Sequence, residues 1–107
     1  MTAENTIVQQ DAFNSAEELS ICLVTQVRQA LGLTQEQLGD IIELHPQNVS
    51  KAENDRYTLK REQQTKLLML REISHVPGFR DTLQYLLQEF GATRAFYVAQ
   101  SLHLVIA

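Results

Sequence analysis

Residues 45–55 read "HPQNVSKAEND", a run that places two carboxamides (Gln47, Asn48), a hydroxyl (Ser50) and an ammonium (Lys51) almost side by side. Each carboxamide carries a donor and an acceptor, so it can hold a neighbouring acceptor–donor pair with two hydrogen bonds at once. The hydroxyl can serve either way, and the ammonium seeks an acceptor or an anion. Val49 and Ala52, interleaved with these residues, are apolar. In a helix that interleaving sends the apolar pair to one side and the polar row to the other. Such a row reads a pattern of donors and acceptors; it makes and breaks no bonds.

The neighbouring sequence supplies the elements that would position the row. Proline disfavours helix in the residue before it and is welcome as the first residue of a new helix, so Pro46 ends one helix and opens another at about 46–53. Upstream, "LTQEQLGDIIEL" carries Thr34 and, three residues on, Gln37, which together make a capping box. Leu38, Ile41 and Ile42 form its buried stripe. Two short helices thus meet across a turn of about three residues, the helix-turn-helix arrangement. The second helix of such a pair fits the major groove of B-DNA, where base edges display distinct donor and acceptor patterns. Carboxamides suit adenine there, and lysine suits guanine or a phosphate.

Flanking elements follow the same helical period. "NSAEELSICLVTQVRQALG" predicts a leading helix, with Ser15 and Glu18 as its capping box, Leu19, Leu23, Val27, Ala30 and Leu31 facing inward, and Gly32 as its stop. After the polar link "NDRY", residues 58–74 predict a fourth helix, which Pro77 and Gly78 interrupt. "DTLQYLLQEFG" sets Leu83, Leu86, Leu87 and Phe90 at helical spacing. The final "TRAFYVAQSLHLVIA" fits a strand through Phe96, Val98, Leu102, Leu104 and Ile106. It fits a helix through Ala95, Val98, Ala99, Leu102 and Ile106, and helix is taken because Thr93 can cap it and every preceding element is helical. Residues 1–13 are polar and unpatterned, and read as a flexible arm.

Composition narrows the class. The chain has 107 residues, 44% hydrophobic and 21% charged, with 4 glycines and 2 prolines, which favours one helical domain with a modest core. Its lone cysteine, Cys22, excludes an internal disulfide and reads as a small packed residue; the dispersed His45, His75 and His103 offer no metal-ligand spacing. No glycine-rich phosphate loop or serine nucleophile elbow is present, and Glu17–Glu18 are explained by a helix's first turn, so neither catalysis nor a cofactor or metal is expected. Without a signal-peptide pattern or a membrane-length apolar run, a soluble cytoplasmic protein is expected.

The net charge of −4 is unevenly spread. Residues 1–45 hold Arg28 against seven acids. Residues 46–71 hold Lys51, Arg56, Lys60, Arg61, Lys66 and Arg71 against only Glu53, Asp55 and Glu62. Local charge sets the counterion-release contribution to binding a polyanion, so an acidic total is compatible with one. On this ground Lys60, like Arg56, is expected to contact phosphate.

The stretch "LTQEQLGDIIELHPQNVSKAEND" resembles the DNA-binding unit of lambda-repressor-like, Cro-type helix-turn-helix proteins. The likeness spans roughly residues 19–73, about half the chain, and its strongest pieces are "LTQEQLG" and "VSKAEN". It implies an all-α, lambda-repressor-like helix-turn-helix bundle with added C-terminal helices. It also implies that Gln35 holds a phosphate, that Gln47, Asn48 and Lys51, joined by Ser50, meet base edges, and that Asn54, Arg56 and Tyr57 touch backbone phosphates. Three positions depart from the family pattern: Glu43 and Asp55 stand where glycine is usual, and His45 stands where a small capping residue is usual.

The organisation expected is an arm over 1–13, a DNA-binding domain over 14–76 and a helical dimerisation segment over 77–107. The function expected is that of a sequence-specific transcriptional regulator, a repressor that binds a palindromic operator in double-stranded DNA as a homodimer. The dimer expectation rests on the apolar ridges of the C-terminal third and its "LVIA" ending. Two rivals accompany it: an autorepressing antitoxin whose C-terminal segment contacts a toxin, and a protein-interaction adaptor that has lost DNA binding.

Overall fold

The computed structural model describes residues 22–106, so the expected arm over 1–13 and the Ser15–Glu18 capping box lie outside the described residues. Those described form six helices: α1 (Leu23–Ala30), α2 (Gln35–Ile42), α3 (Pro46–Glu53), α4 (Arg61–Ile73), α5 (Phe79–Phe90) and α6 (Ala92–Ile106). They contain no strand, so the fold is all-α, and the ambiguous last segment is a helix.

The helix ends follow local chemistry. Thr34 and Gln37 make the expected capping box, with Gln37 N–H donating to Thr34 Oγ1 and Thr34 N–H to Gln37 Oε1, both at 3.0 Å. Cys22 occupies the N-cap of α1 without a side-chain cap bond, and α1 runs into a turn at Gly32, whose φ is +64°. α4 starts at Arg61, later than the sequence predicts. Residues 58–60 stay non-helical: Leu59 packs against the core, and Gln63 Oε1 accepts from Lys60 N–H at 2.9 Å, which fixes the entry. Thr93 is not the cap of α6, because that helix begins at Ala92, directly after Gly91 at φ +87°.

One apolar cluster joins these elements. Val24 and Val27 of α1, Leu31 at its end, Leu38, Ile41 and Ile42 of α2, Val49 and Ala52 of α3, and Leu67, Leu70 and Ile73 of α4 are buried together. Burying each large aliphatic contributes about 1.5–3 kcal/mol. The inward face of α1 differs from expectation, since Val24 is buried while Leu23 is only half-buried and Ala30 is exposed. α6 packs on α2, α4 and α5, and its buried Ala95 and Ala99 let it approach closely; Phe79 and Leu83 bring α5 into the same cluster. Of the other C-terminal ridge residues, Leu86, Leu87 and Leu102 are half-buried, while Phe90, Val98 and Ile106 face outward.

Candidate nucleic-acid interface

The turn between α2 and α3 is residues 43–45, and each of them is held. Glu43 adopts the left-handed conformation (φ 62°, ψ 54°) that ends α2, and its carbonyl accepts from Gln63 Nε2 at 3.2 Å. Leu44 N–H donates to Gly39 O at 2.8 Å. A Cβ on Gly39 would lie 2.3 Å from Leu44 O, so a residue without a side chain is required where the turn folds back on α2. His45 Nδ1 accepts from Gln47 N–H at 3.1 Å and so caps α3, doing the work of the small capping residue usual at that position. Pro46 takes the first helical position.

With Val49 and Ala52 buried, the other side of α3 faces out. Gln47 and Lys51 are exposed, Asn48 and Ser50 half-buried, and none of these four side chains makes a hydrogen bond or ion pair among the described residues. Gln47, Ser50 and Lys51 share a face by helical spacing. At the far end Asn54 Nδ2 donates to Ser50 O at 2.8 Å, and Asp55 adopts φ +58°, closing the helix where a glycine would otherwise be needed. Arg56 and Lys60 are exposed and unpaired among the described residues, and Tyr57 is half-buried against the core.

Behind the row lies a network that local sequence patterns do not reveal. Glu53, at the end of α3, accepts from Arg28 Nε at 2.6 Å and from Gln35 Nε2 at 2.8 Å, while Arg28 Nη1 also donates to Leu33 O at 3.2 Å. The Glu53 side chain is only 10% exposed. One carboxylate therefore ties α1, the start of α2 and the recognition row together. Cys22 adds a lesser tie, its thiol donating to Ala52 O at 3.2 Å.

The cations divide accordingly. Arg28 is consumed by Glu53, and Lys66 pairs with Glu43 at 3.2 Å while lying 4.9 Å over the Phe96 ring. Lys51, Arg56, Lys60 and Arg61 stay uncommitted and exposed among the described residues, along one continuous stretch from α3 to the start of α4. Arg61 was not singled out by sequence reading; its place beside Lys60 in a basic run was the available signal. No group of His, Cys, Asp and Glu among the described residues is close enough to hold a metal ion, and no described helix is long and apolar enough to cross a membrane.

Comparison with known proteins finds that the model of the family described as "Helix-turn-helix" matches residues 24–75, from within α1 to just past α4. No curated protein and no solved structure gave a significant match. The matched stretch contains the whole row, its turn and the Glu53 network, and it stops short of α5 and α6.

Proposed function

We propose, from the premise that this chain belongs through residues 24–75 to the lambda-repressor-like, Cro-type helix-turn-helix family, that it is a DNA-binding transcription regulator reading the major groove with α3. The observation that carries this reading is the polar row of α3, outward and unpaired, continued by uncommitted cations. Burying these amides against an apolar partner surface would leave them unsatisfied and cost stability, whereas base edges supply matching donors and acceptors.

In this reading Gln47, Asn48, Ser50 and Lys51 contact bases. Arg56 and Lys60 hold phosphates, joined by the Tyr57 hydroxyl. Gln35 and Asn54 each spend one amide hydrogen internally, on Glu53 and on Ser50 O, and each keeps a second for a phosphate oxygen. The role proposed is that of a cytoplasmic repressor, which acts by occupancy alone where its operator overlaps a start site. One such unit reads few base pairs, so two copies bind a palindromic site.

The test is binding to the selected operator and to random duplex. Gln47→Ala and Lys51→Ala are each expected to cost roughly 1–3 kcal/mol on the operator and to relax preference at particular base pairs. Arg56→Ala and Lys60→Ala are expected to weaken all duplexes alike and to shallow the log–log salt slope by about one unit each. Folded α3 variants that bind like the parent would remove that helix from the groove. An absence of any binding at low salt would turn the reading towards a protein adaptor.

A further inference from the structure

α6 is apolar on both sides. Inward it buries Ala95 and Ala99 and half-buries Leu102; outward it shows Tyr97, Val98, Leu104 and Val105, which are 68, 38, 75 and 81% exposed. It has few polar residues, with Arg94 and His103 its only basic side chains and no acid at all, and Arg94 lies 5.7 Å over the Phe90 ring. α4, by contrast, faces water with Arg61, Glu62, Arg71 and Glu72. A helix that is apolar all round belongs in an interior, so the outer face of α6 marks a contact surface.

We infer that this outer face is the joint of a homodimer in which two α6 helices cross antiparallel about Ser101. The face itself supplies the argument for a second copy. Its members are Arg94, Tyr97, Val98, Ser101, Leu104 and Val105, and the spacing of the apolar four is symmetric about position 101. In an isologous contact residue i meets j and j meets i. Crossing at Ser101 therefore sets Tyr97 against the partner's Val105 and Val98 against the partner's Leu104, each twice, with the two small serines at the axis.

Charge and area agree with that occupant. No acid lies on the face and its single cation is already placed over Phe90, so a second copy brings no repelling pair against the apolar centre. Phe90 of α5 lines a groove with Tyr97 and Val98, and Tyr85, in edge-to-face contact with Phe90 at 6.3 Å, extends the surface; the two are 50 and 58% exposed. Together these residues present on the order of 600 Å², close to the ~800 Å² that each partner of a standard-sized interface contributes. α3 packs on α1 and α2, whereas α6 packs on α2, α4 and α5, so a joint on the outside of α6 leaves both recognition rows open.

The joint deepens the operator reading and rests on it for its purpose, while its test contains no DNA. Sedimentation equilibrium of the full chain at tens of micromolar is expected to show a dimer. Leu104→Glu is expected to raise its Kd by roughly tenfold or more, because each copy would then bury an unpaired carboxylate, with helix content by circular dichroism unchanged. In a Cys22→Ser background, Ser101→Cys is expected to give a disulfide-linked dimer on mild oxidation, and Gln88→Cys, on the exposed side of α5, is not. A monomeric parent overturns the inference, as does a dimer indifferent to Leu104→Glu or one that cross-links as readily through Gln88→Cys. A monomer that instead binds a different protein through this face, and ceases to bind it when Leu104 becomes Glu, overturns it too and assigns the surface to that partner. None of these results touches the reading of α3; a dimer that ignores DNA would overturn that reading and leave the joint standing.

Discussion

The α2–α3 pair and the α5–α6 pair are both two helices on a short link, yet they are joined by opposite means. Between α2 and α3 every link residue is held: Glu43 by Gln63, Leu44 by Gly39, and His45 by its own cap bond to Gln47 N–H. Between α5 and α6 there is a single glycine at φ +87° with nothing within 4 Å of where a Cβ would stand, and α5 starts from Gly78 without a side-chain cap. The first joint fixes an angle and a register, which a row that must match base edges requires. The second brings two apolar helices together and leaves an apolar face outward. Orientation demands hydrogen bonds; adhesion demands area.

For all their differences, the two pairs share a core. Leu38 of α2 and Leu83 of α5 are both buried in one cluster. Leu38→Ala and Leu83→Ala are each expected to cost about 2–5 kcal/mol, the range for truncating a fully buried leucine. In a Tyr57→Phe background, urea unfolding followed by helical ellipticity and by the fluorescence of the remaining Tyr85 and Tyr97 should give one coincident transition in both variants. Separate transitions in Leu83→Ala would make α5–α6 an independent unit, whose inner face does not complete the core of the helix-turn-helix.

A middle-sized effect separates the two regions by the kind of tie each uses. Glu53→Ala removes a carboxylate that serves Arg28 and Gln35 together and leaves a guanidinium that is only 23% exposed without its partner. A loss of about 1–3 kcal/mol is expected, with weaker operator binding because α3 loses its anchor to α1. Gln84 is the corresponding tie of α5, donating to Gly32 O at 3.1 Å and exchanging amide hydrogen bonds with Gln37. These bonds are between neutral groups and contribute less, about 0.5–1.5 kcal/mol for Gln84→Ala. Equal losses would mean that charge at Glu53 adds nothing to the orientation of α3.

How much of this was legible follows the same division. The capping box of α2, the entry at Pro46, the inward Val49 and Ala52 and the outward row of α3 depend on residues within a turn of one another, and their spacing states them. The Arg28–Glu53 bond joins residues 25 apart in sequence, and no local period encodes it. The C-terminal ridges were visible as apolar periodicity, but not which side would turn inward. α6 has apolar residues on both sides, so only its packing on α2 and α4 tells the buried Ala95 and Ala99 from the exposed Tyr97 and Leu104. A doubly apolar helix has a period and no direction.

The smallest effect tests whether the strictness of the first joint costs anything. Glu43 holds a left-handed conformation that glycine adopts freely, and a non-glycine residue gives up roughly 1–2 kcal/mol there. Its compensation is modest: the carboxylate meets Lys66 at 3.2 Å, but the Glu43 side chain is 80% exposed, and exposed pairs contribute ~0–1 kcal/mol. Glu43→Ala and Glu43→Gly delete the same ion pair and differ only in the Cβ. Glycine's greater freedom in the unfolded chain subtracts part of its advantage, so Glu43→Gly should exceed Glu43→Ala in stability by about 1 kcal/mol and match or slightly exceed the parent. Chemical denaturation of the three proteins, compared at equal m-values, reads that difference. If alanine proves as stable as glycine, the backbone at position 43 is not held at φ 62° in solution, and the turn orients α3 through Leu44 and His45 alone.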